Sequence, residues 1–338
     1  MNIEIIGTGS FVPERHITND ELASKIDTSD EWIRSHTGIG SRHIADEGVS
    51  CSDLAVEAAK EALRMAEPEK TLEEAALTID LVIVATATGD YYGCPSTACI
   101  VQDKIGAKNA GAMDLAAGCT GFVYALESAA GLLSINADRK RALVIGAETL
   151  SKFIDWEDRG SCVLFGDGAG AAIIEKKENA GSMEKSGLLF STLSADGSGA
   201  EHIIFKGGGS KEPFANGETL GKPIHLQING QAVYNFAVKA ITDTVKKLLL
   251  TAGTTIDQVD WIIPHQANAR IIQAAAKRLG VKEDTLFMNI EYYANTSAAS
   301  IPIAIDELNR RGDLRKGDLI LTVGFGGGLT YGGSIIRW

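Results

Sequence analysis

The chain has 338 residues, of which 45% are hydrophobic and 22% charged, and its formal net charge is −12 at pH 7. This length and apolar fraction suffice to bury one large core or two smaller ones. The acidic balance, with no stripe of Lys and Arg interleaved with aromatic residues, excludes a protein that binds nucleic acid through its phosphates.

Membrane insertion and secretion are not expected either. The longest apolar runs, at residues 81–85 and 142–146, have the length of a strand, far below the roughly 20 residues of a membrane-spanning helix. The chain leads directly into a strand pattern at residues 3–7, which is unlike a signal peptide. Its five cysteines show no paired spacing that would indicate a disulfide framework. We therefore expect a cytoplasmic protein that does not associate with membranes.

Strand and helix patterns alternate along the chain. Strands are predicted at residues 81–85, 112–115, 142–145, 261–263, 286–289 and 319–323. Helices are predicted at residues 53–66, 95–105, 122–133 and 270–279. Ser50 and Asp53 have the spacing of a capping box at the first of these helices. The alternation predicts an α/β fold with largely parallel strands, covered by helices on both faces.

The second half of the chain repeats the order of the first. Residues 79–84 resemble 259–263, and two later pairs of segments correspond in the same way: 142–146 with 319–323, and 166–174 with 328–336. We place the two halves at residues 1–180 and 181–338, packed as one unit. The duplication brings Asn295 to the place that Cys119 occupies in the first half, so the two helix starts should meet near a pseudo-twofold axis.

A polar, glycine-rich stretch lies between the halves. Residues 197–222 include Gly-Gly-Gly-Ser-Lys at 207–211 and Asn-Gly at 216–217, which is typical of a surface excursion. The stretch lacks the Gly-Lys-Ser/Thr ending of a P-loop, and residues 7–9 lack the third glycine of a dinucleotide fingerprint. We predict neither ATP nor NAD as a cofactor.

Cys119 is the candidate nucleophile. It follows the apolar run 113–118 and precedes the helical pattern 122–126. The unpaired N–H groups and positive dipole at a helix start favour a thiolate, and Gly118 and Gly121 allow a substrate to approach closely. Most free cysteines are small core residues, and we interpret the other four in that way: Cys51, Cys94, Cys99 and Cys162.

Two polar residues and a glycine-rich segment complete the candidate site. His265 directly follows a predicted strand, at the end where α/β proteins build their sites, whereas the other histidines are interpreted as structural: His16, His36, His43, His202 and His225. Asn295 lies in a turn before a helix, where its amide can donate into a cleft or simply cap the helix. Residues 324–328 present backbone N–H groups suited to an oxyanion or merely to a bend. Their joint occurrence favours an active site.

At these residues the chain resembles, over essentially its full length, the thiolase-fold condensing enzymes, and most closely the beta-ketoacyl-acyl carrier protein synthase III family. The matching segments are 27–33, 37–39, 42–44, 118–121, 158–160, 165–170, 264–268, 295–297 and the glycine-rich end. The resemblance implies a thiolase-like α/β fold of duplicated α-β-α-β-α layered halves, with mixed, largely parallel sheets. It further implies a homodimer that needs neither a cofactor nor a metal.

The reaction that the resemblance implies has two stages and initiates fatty acid biosynthesis. Cys119 takes an acyl group, such as acetyl, from acyl-coenzyme A. Malonyl-acyl carrier protein then loses carbon dioxide and attacks the acyl-cysteine, giving 3-oxoacyl-acyl carrier protein. His265 and Asn295 would stabilise the enolate, and the N–H groups of Cys119 and Gly327 would hold the acyl carbonyl. Such hydrogen-bond donors are each worth about 3–4 kcal/mol in the transition state.

The resemblance also assigns binding residues. Trp32 and Arg159 match positions that hold the adenine end of coenzyme A, and Asn268 matches a position in the pantetheine tunnel. Acyl carrier protein, itself acidic, would dock on a local patch whose residues are Gln266, Arg270, Lys277 and Arg278.

Two positions depart from the family pattern. His36 stands where the family has an arginine that contacts coenzyme A. Cys94 stands where a phenylalanine usually lines the acyl pocket, whose wall would include Ile228 and which the partner subunit would complete. The smaller Cys94 side chain would leave room for a longer or branched primer.

Other functions remain open from the sequence. Related condensing enzymes that form polyketides or long-chain ketones use the same three catalytic residues. A degradative thiolase typically needs a second cysteine, and none accompanies the glycine-rich end. A noncatalytic module that binds acyl groups or carrier protein would not need Cys119, His265 and Asn295 together.

Overall fold

The computed structural model describes residues 2–178, 186–213, 225–282 and 285–338. Its strands are β1 (Asn2–Phe11), β2 (His16–Thr18), β3 (Ser41–His43), β4 (Leu81–Ala85), β5 (Gly111–Leu115), β6 (Arg141–Glu148), β7 (Gly168–Lys177), β8 (Gly187–Ala195), β9 (Ile203–Phe205), β10 (Leu226–Ile228), β11 (Trp261–Pro264), β12 (Leu319–Gly326) and β13 (Thr330–Arg337). Its helices are α1 (Asn19–Ala23), α2 (Asp30–Thr37), α3 (Cys51–Ala66), α4 (Leu72–Ala76), α5 (Thr97–Ile105), α6 (Gly121–Ile135), α7 (Gly230–Ala252), α8 (Ala269–Leu279), α9 (Ile290–Tyr293) and α10 (Ser300–Arg310).

Two sheets with the same internal order form the framework. The first has the order β1-β7-β6-β4-β5, and the second has the order β8-β13-β12-β11. The strands therefore correspond in pairs, β4 with β11, β6 with β12 and β7 with β13, as the sequence comparison of the halves predicts. The boundary that we place between residues 180 and 181 falls in the segment 179–185, which lies outside the described residues.

The sheets are mixed, as predicted, but parallel pairing is more limited than the prediction of largely parallel sheets. In the described parts of the two sheets, β4 pairs in parallel with β5 and β6, and β11 with β12. The strands β7 and β13 run antiparallel to both of their neighbours. Parallel strands need a crossover connection, whereas β12 and β13 are joined by only the short turn Gly327–Leu329. They must therefore run in opposite directions.

Helices α6 and α10 lie between the two sheets. Phe122 and Leu126 of α6 share one buried cluster with Ile301 and Ile305 of α10 and with residues of both sheets. Helices α3 and α5 cover the outer face of the first sheet, and α7 and α8 cover that of the second. The result is five layers in the order α-β-α-β-α.

The segment Gly118–Ile135, which contains α6, is long and apolar enough to span a membrane, by length and composition, among the described residues. Half of it is buried inside the protein. Its position between two sheets explains its apolar composition, because a helix covered on both sides has few positions for polar residues.

Most predicted elements are confirmed with ends shifted by a few residues. The capping box at α3 is present, since the Ser50 N–H donates to Asp53 Oδ2 at 2.8 Å. The predicted strand at residues 286–289 is wrong: only Leu286 forms a bridge, with Ile262. At the end of the predicted strand, the Asn289 N–H donates to the Gln266 side-chain oxygen at 3.1 Å. This side chain takes the place of the backbone acceptor that a neighbouring strand would supply.

The glycine-rich stretch at residues 197–222 is more than a surface excursion. It contains β9, which pairs with β10 in a separate two-stranded sheet. The Asn-Gly pair at residues 216–217 lies outside the described residues.

Contact between β6 and the turn before α10 offers a test of the interface between the halves. A Cβ atom at Gly146 would lie 2.1 Å from the backbone oxygen of Ala298, so Gly146→Ala must push the two backbones apart. We expect this change to lower the free energy of unfolding by about 1–3 kcal/mol, measured by urea denaturation. The matched control is Gly131→Ala in α6, where nothing lies within 4 Å of the new Cβ. It should stabilise by about 0.5–1 kcal/mol, and equal effects of the two changes would contradict the close contact.

Candidate active site

A largely apolar cavity of about 250 Å³ lies where the two halves meet. Cys119, His265 and Asn295 all line it, so the structure brings together the three residues that the sequence singles out. Cys119 comes from the turn Gly118–Thr120 before α6, and Asn295 precedes the turn Ser297–Ala299 before α10. The apolar walls include Leu150, Phe165, Ile203, Phe205, Leu226, Ile228 and Phe325.

Glycines allow the backbone around Cys119 to approach the glycine-rich turn after β12. Gly118 has a φ of 52°, and a Cβ on it would lie 2.8 Å from the Gly327 nitrogen. A Cβ on Gly326 would lie 2.5 Å from the Cys119 nitrogen. Side chains at these positions would separate the two turns. The N–H groups of Cys119 and Gly327 therefore belong to neighbouring backbone segments at the cavity wall.

The environment of the thiol differs from the prediction. Its position at a helix start predicts a lowered pKa, but burial raises the pKa of Cys119 to about 12. A hydrogen bond with the Ser297 hydroxyl acts in the opposite direction, and the nearby Glu148 carboxyl raises the pKa further. Burial therefore dominates over the helix start, and the resting thiol is protonated at neutral pH.

His265 is held in one orientation at the end of β11. It is 1% exposed, and burial lowers its pKa to about 3, so the imidazole is neutral at physiological pH. The Ser300 oxygen lies 2.7 Å from His265 Nδ1 and accepts the Gln266 N–H at 3.3 Å. The hydroxyl can donate its own proton to Nδ1 while its oxygen accepts from Gln266. In that arrangement the ring proton is on Nε2, where it can serve as a donor.

Asn295 is oriented by the turn that follows it. The Ser297 N–H donates to Asn295 Oδ1 at 2.9 Å. With its oxygen engaged in this way, the amide nitrogen is the end of the side chain available to a ligand in the cavity. The site thus contains two neutral hydrogen-bond donors, from His265 and Asn295, in the same cavity as one thiol.

Several residues of the site were missed by the sequence interpretation. Ser297 and Ser300 contact the catalytic candidates, Glu148 is hydrogen-bonded to Ser297, and Ile203 and Phe205 of β9 line the cavity. The signal for Glu148 was present, since it is a carboxylate at the end of an otherwise apolar strand pattern, residues 142–147. Nothing in the local pattern distinguishes Ser297 or Ser300 from ordinary helix-start serines.

The residues assigned to coenzyme A form a group at the surface. The Arg159 guanidinium lies 4.8 Å from the centre of the Trp32 ring, and the His36 ring stacks on Trp32 at 4.3 Å. Asn268 lines the cavity and donates from Nδ2 to the His36 backbone oxygen at 3.0 Å. Through this bond, Asn268 connects the surface group to the cavity.

The predicted docking patch is only partly at the surface. Arg270, Lys277 and Arg278 on α8 are exposed, and none forms an ion pair among the described residues. Gln266, which we also predicted to contact the carrier protein, is 1% exposed. Its amide nitrogen donates to the Pro264 and Phe287 carbonyls at 2.8 and 3.3 Å. Gln266 is therefore used to hold the backbone after β11, and its contact with the carrier protein stays a prediction.

The two predicted pocket residues differ in position. Ile228 lines the cavity, as predicted. Cys94 is exposed in the loop before α5 and does not line the cavity of its own chain. The prediction that Cys94 shapes an acyl pocket completed by the partner subunit stays a prediction.

Comparison with known proteins gives a consistent result. A family model described as 3-oxoacyl-[acyl-carrier-protein (ACP)] synthase III matches residues 113–197, and the model of its C-terminal part matches residues 249–338. Beta-ketoacyl-[acyl-carrier-protein] synthase III of Clostridium acetobutylicum is 47% identical over 100% of this chain and 99% of its own. The crystal structure of 3-oxoacyl-[acyl-carrier-protein] synthase III from Aquifex aeolicus VF5 aligns with a TM-score of 0.88 and 41% identity, covering 100% of both chains. The priming beta-ketosynthase of the R1128 polyketide pathway has the same TM-score at 33% identity, covering 99% of this chain and 96% of its own.

The charge state of His265 can be measured directly. Because burial lowers its pKa to about 3, we expect its ring ¹H–¹³C NMR signals to be independent of pH between pH 8 and pH 5. The His265→Asn variant, which lacks these signals, provides their assignment. A change of chemical shift with a midpoint near the ordinary value of about 6.5 would contradict the buried, neutral imidazole.

Proposed function

The chain belongs to the 3-oxoacyl-[acyl-carrier-protein] synthase III family of acyltransferases, and from this premise we propose the following reaction for it. An acyl-coenzyme A primer condenses with malonyl-acyl carrier protein to give 3-oxoacyl-acyl carrier protein, coenzyme A and carbon dioxide. This is the step that initiates fatty acid biosynthesis. The observation that carries the proposal is the convergence of Cys119, His265 and Asn295 in one apolar cavity.

In the first stage, Cys119 acts as the nucleophile. Its sulfur attacks the thioester carbonyl of the primer, and coenzyme A leaves. The N–H groups of Cys119 and Gly327 would stabilise the charge on the carbonyl oxygen, and the close approach of the two turns supports this role. The proton of the thiol must leave the sulfur in this stage, since the resting thiol has a pKa of about 12.

In the second stage, the malonyl group loses carbon dioxide and an enolate forms. Nε2–H of His265 and the amide of Asn295 would donate hydrogen bonds to the enolate oxygen. A neutral imidazole fits this role because it keeps its donor proton without acting as an acid toward the carbanion. The apolar cavity excludes water that would protonate the enolate before it attacks the acyl-cysteine.

The two ends of the site would bind different parts of the substrates. The adenine of coenzyme A would stack at Trp32 and Arg159. The Arg159 guanidinium lies 4.8 Å from the centre of the Trp32 ring, which leaves no room for another ring between them, so the adenine would replace their mutual contact. The pantetheine arm would pass Asn268, and the acyl chain would lie against Ile228 and the other apolar walls. The reaction needs no additional cofactor, because acyl-coenzyme A and malonyl-acyl carrier protein are both substrates.

Acyl carrier protein would dock on α8. This helix starts at the cavity with Asn268 as its N-cap, and its exposed residues Arg270, Lys277 and Arg278 form a basic surface on an acidic protein. Such a surface attracts an acidic partner locally despite the net repulsion between the two proteins. We further propose that the enzyme is a cytoplasmic homodimer.

The polyketide alternative receives less support. The chain is 33% identical to the R1128 priming ketosynthase, against 47% for the clostridial synthase III. The three catalytic residues are the same in both readings of the site, so the preference rests on the degree of similarity.

The division of roles predicts different defects in different variants. We expect wild-type protein mixed with acetyl-, isobutyryl- or hexanoyl-coenzyme A to gain the mass of an acyl group on Cys119. Cys119→Ala should gain none. His265→Ala and Asn295→Ala should still be acylated, but should lose malonyl decarboxylation by about 10²–10³-fold, since each removes one donor to the enolate. Intact-protein mass spectrometry and release of carbon dioxide measure the two stages.

The same assay contains its control. Adding malonyl-acyl carrier protein to the acylated wild-type enzyme should remove the acyl group. Equal loss of acylation in all three variants would contradict the division of roles. A wild-type protein that no primer acylates would contradict the synthase function itself.

The docking surface predicts a selective change in affinity for the carrier protein. Arg270→Glu and Arg278→Glu should raise the KM for malonyl-acyl carrier protein on the order of ten-fold, because they reverse charges that attract it. The matched control is Lys108→Glu, which makes the same type of charge reversal in the exposed turn after α5. Steady-state kinetics at low salt measure the effect, and a similar KM for all three variants would place the docking surface elsewhere.

A further inference from the structure

Glu148, the last residue of β6, is a buried carboxyl group beside the nucleophile. It is 0% exposed and forms no ion pair with Lys, Arg or His among the described residues. Its oxygens accept hydrogen bonds from the Thr88 hydroxyl at 2.6 Å and from the Ala87 N–H at 3.1 Å. The Thr86 hydroxyl donates as well, at 3.3 Å. A group that is costly to bury is thus held by several hydrogen-bond donors and, among the described residues, by no cation.

Ser297 connects this carboxyl group to Cys119. Its hydroxyl donates to Glu148 Oε1 at 2.9 Å and also interacts with the Cys119 thiol. When the hydroxyl proton is turned to the sulfur it stabilises the thiolate and lowers the pKa of Cys119, and when that proton is on Glu148 the Ser297 oxygen can accept the thiol proton. The three groups therefore form a continuous chain, from Sγ through Oγ to Oε1.

The backbone fixes this chain in place. Gly146 and Glu148 lie two residues apart on β6 and so face the same side of the strand. Because Gly146 has no side chain, the turn that contains Ala298 packs directly against the backbone of β6 there. Ser297 itself has a φ of 49°, a conformation that non-glycine residues rarely adopt. Its N–H is used to orient Asn295. Strained residues of this kind concentrate at functional sites.

We propose that Ser297 and Glu148 form a proton relay for Cys119, which accepts the thiol proton when the sulfur attacks the acyl thioester. The inference rests on the proposed function for the identity of that thioester. The thiol proton passes to Ser297 Oγ as the hydroxyl proton passes to Glu148 Oε1. The sulfur electron pair forms the new bond to the carbonyl carbon, and the bond to the coenzyme A sulfur breaks, so that coenzyme A leaves as a thiolate and takes a proton from water.

The relay returns to its starting state in the second stage. When the enolate attacks the acyl-cysteine, the Cys119 sulfur leaves as a thiolate. Glu148 then returns its proton to Ser297, and the Ser297 hydroxyl proton passes to the sulfur. One proton is taken from solvent per cycle, at the departing coenzyme A, and the relay itself is unchanged.

The pKa values of the groups around the thiol favour Glu148 as the base that accepts its proton. Burial raises its pKa to about 7, so a substantial fraction is ionised at neutral pH and able to accept a proton. His265, whose pKa burial lowers to about 3, is a far weaker base. Among the described residues, the thiols of Cys119 and of Cys51 on α3 feel the charge of Glu148, and burial raises the pKa of both.

Alkylation of Cys119 by iodoacetamide tests the relay without coenzyme A or carrier protein. The rate, resolved for Cys119 by peptide mass spectrometry, should rise with pH in the wild-type protein with an inflection near pH 7. Glu148→Gln, which keeps the shape of the side chain, should abolish the inflection and slow alkylation at pH 7.5 on the order of 10²-fold. Ser297→Ala should have the same effect while leaving the carboxyl group in place.

The control is Asp167→Asn. Asp167 is also a buried carboxyl, 0% exposed, but it accepts hydrogen bonds from Ala45 and Ser151 rather than contacting the site. This variant should keep the wild-type pH profile of Cys119. Wild-type rates and inflection in both Glu148→Gln and Ser297→Ala would overturn the relay, as would a uniform slowing at all pH values, which would indicate a structural role. If Glu148→Gln does not fold, Ser297→Ala alone decides in the same way.

Failure of the relay is distinguishable from failure of the proposed function. Alkylation reports only on the thiol and its proton. Transfer of an acyl group from acyl-coenzyme A to wild-type Cys119 reports on the enzyme reaction, and the two results are independent.

Discussion

Backbone-to-backbone contact at the junction of the two halves is the constraint on which the site depends. The turns that carry Cys119 and Ser297, the end of β6 and the glycine-rich turn after β12 come together without intervening side chains. Gly118, Gly146 and Gly326 each occupy a position where a Cβ atom would lie within 3 Å of another backbone atom. Because the contact is made by backbone, the N–H groups of Cys119 and Gly327 lie on neighbouring segments beside the thiol, and their positions are set by the sheets that hold them.

The duplicated architecture explains how so many polar groups reach a cavity that is otherwise apolar. Each half delivers a helix start to the same place, because α6 and α10 lie between the sheets in equivalent positions. The two helices are covered by sheets on both sides, so their first turns are also buried. A small site built in this way has low exposure to water, and the ionisable groups in it shift toward their neutral forms.

That shift unites the chemistry of the site. Burial keeps His265 neutral, so that it remains a hydrogen-bond donor, and it keeps the Cys119 thiol protonated at rest. It also raises the pKa of the Glu148 carboxyl to about 7. The same burial that keeps His265 a neutral donor also makes the thiol hard to ionise. The Glu148 carboxyl gains and loses a proton near neutral pH and is connected to the thiol through Ser297. It can therefore accept the thiol proton although the thiol is hard to ionise. At the rim, by contrast, Trp32, Arg159 and the basic face of α8 are accessible to large, charged substrates.

The sequence by itself determined the α/β class, the duplication and the identity of Cys119, His265 and Asn295, because periodicity and residue type are local properties. It also predicted the cap of α3 and most helices and strands. Tertiary structure alone decided what each side chain contacts. It buried Gln266 under β11, replaced the expected strand at residues 286–289 with a single bridge, and placed Cys94 outside the cavity of its own chain. It also reversed the expected shift in the acidity of Cys119, since desolvation depends on atoms from distant parts of the chain. Glu148 and Ser297 are 149 residues apart and meet only when the sheets are assembled, and no local pattern encodes such a contact.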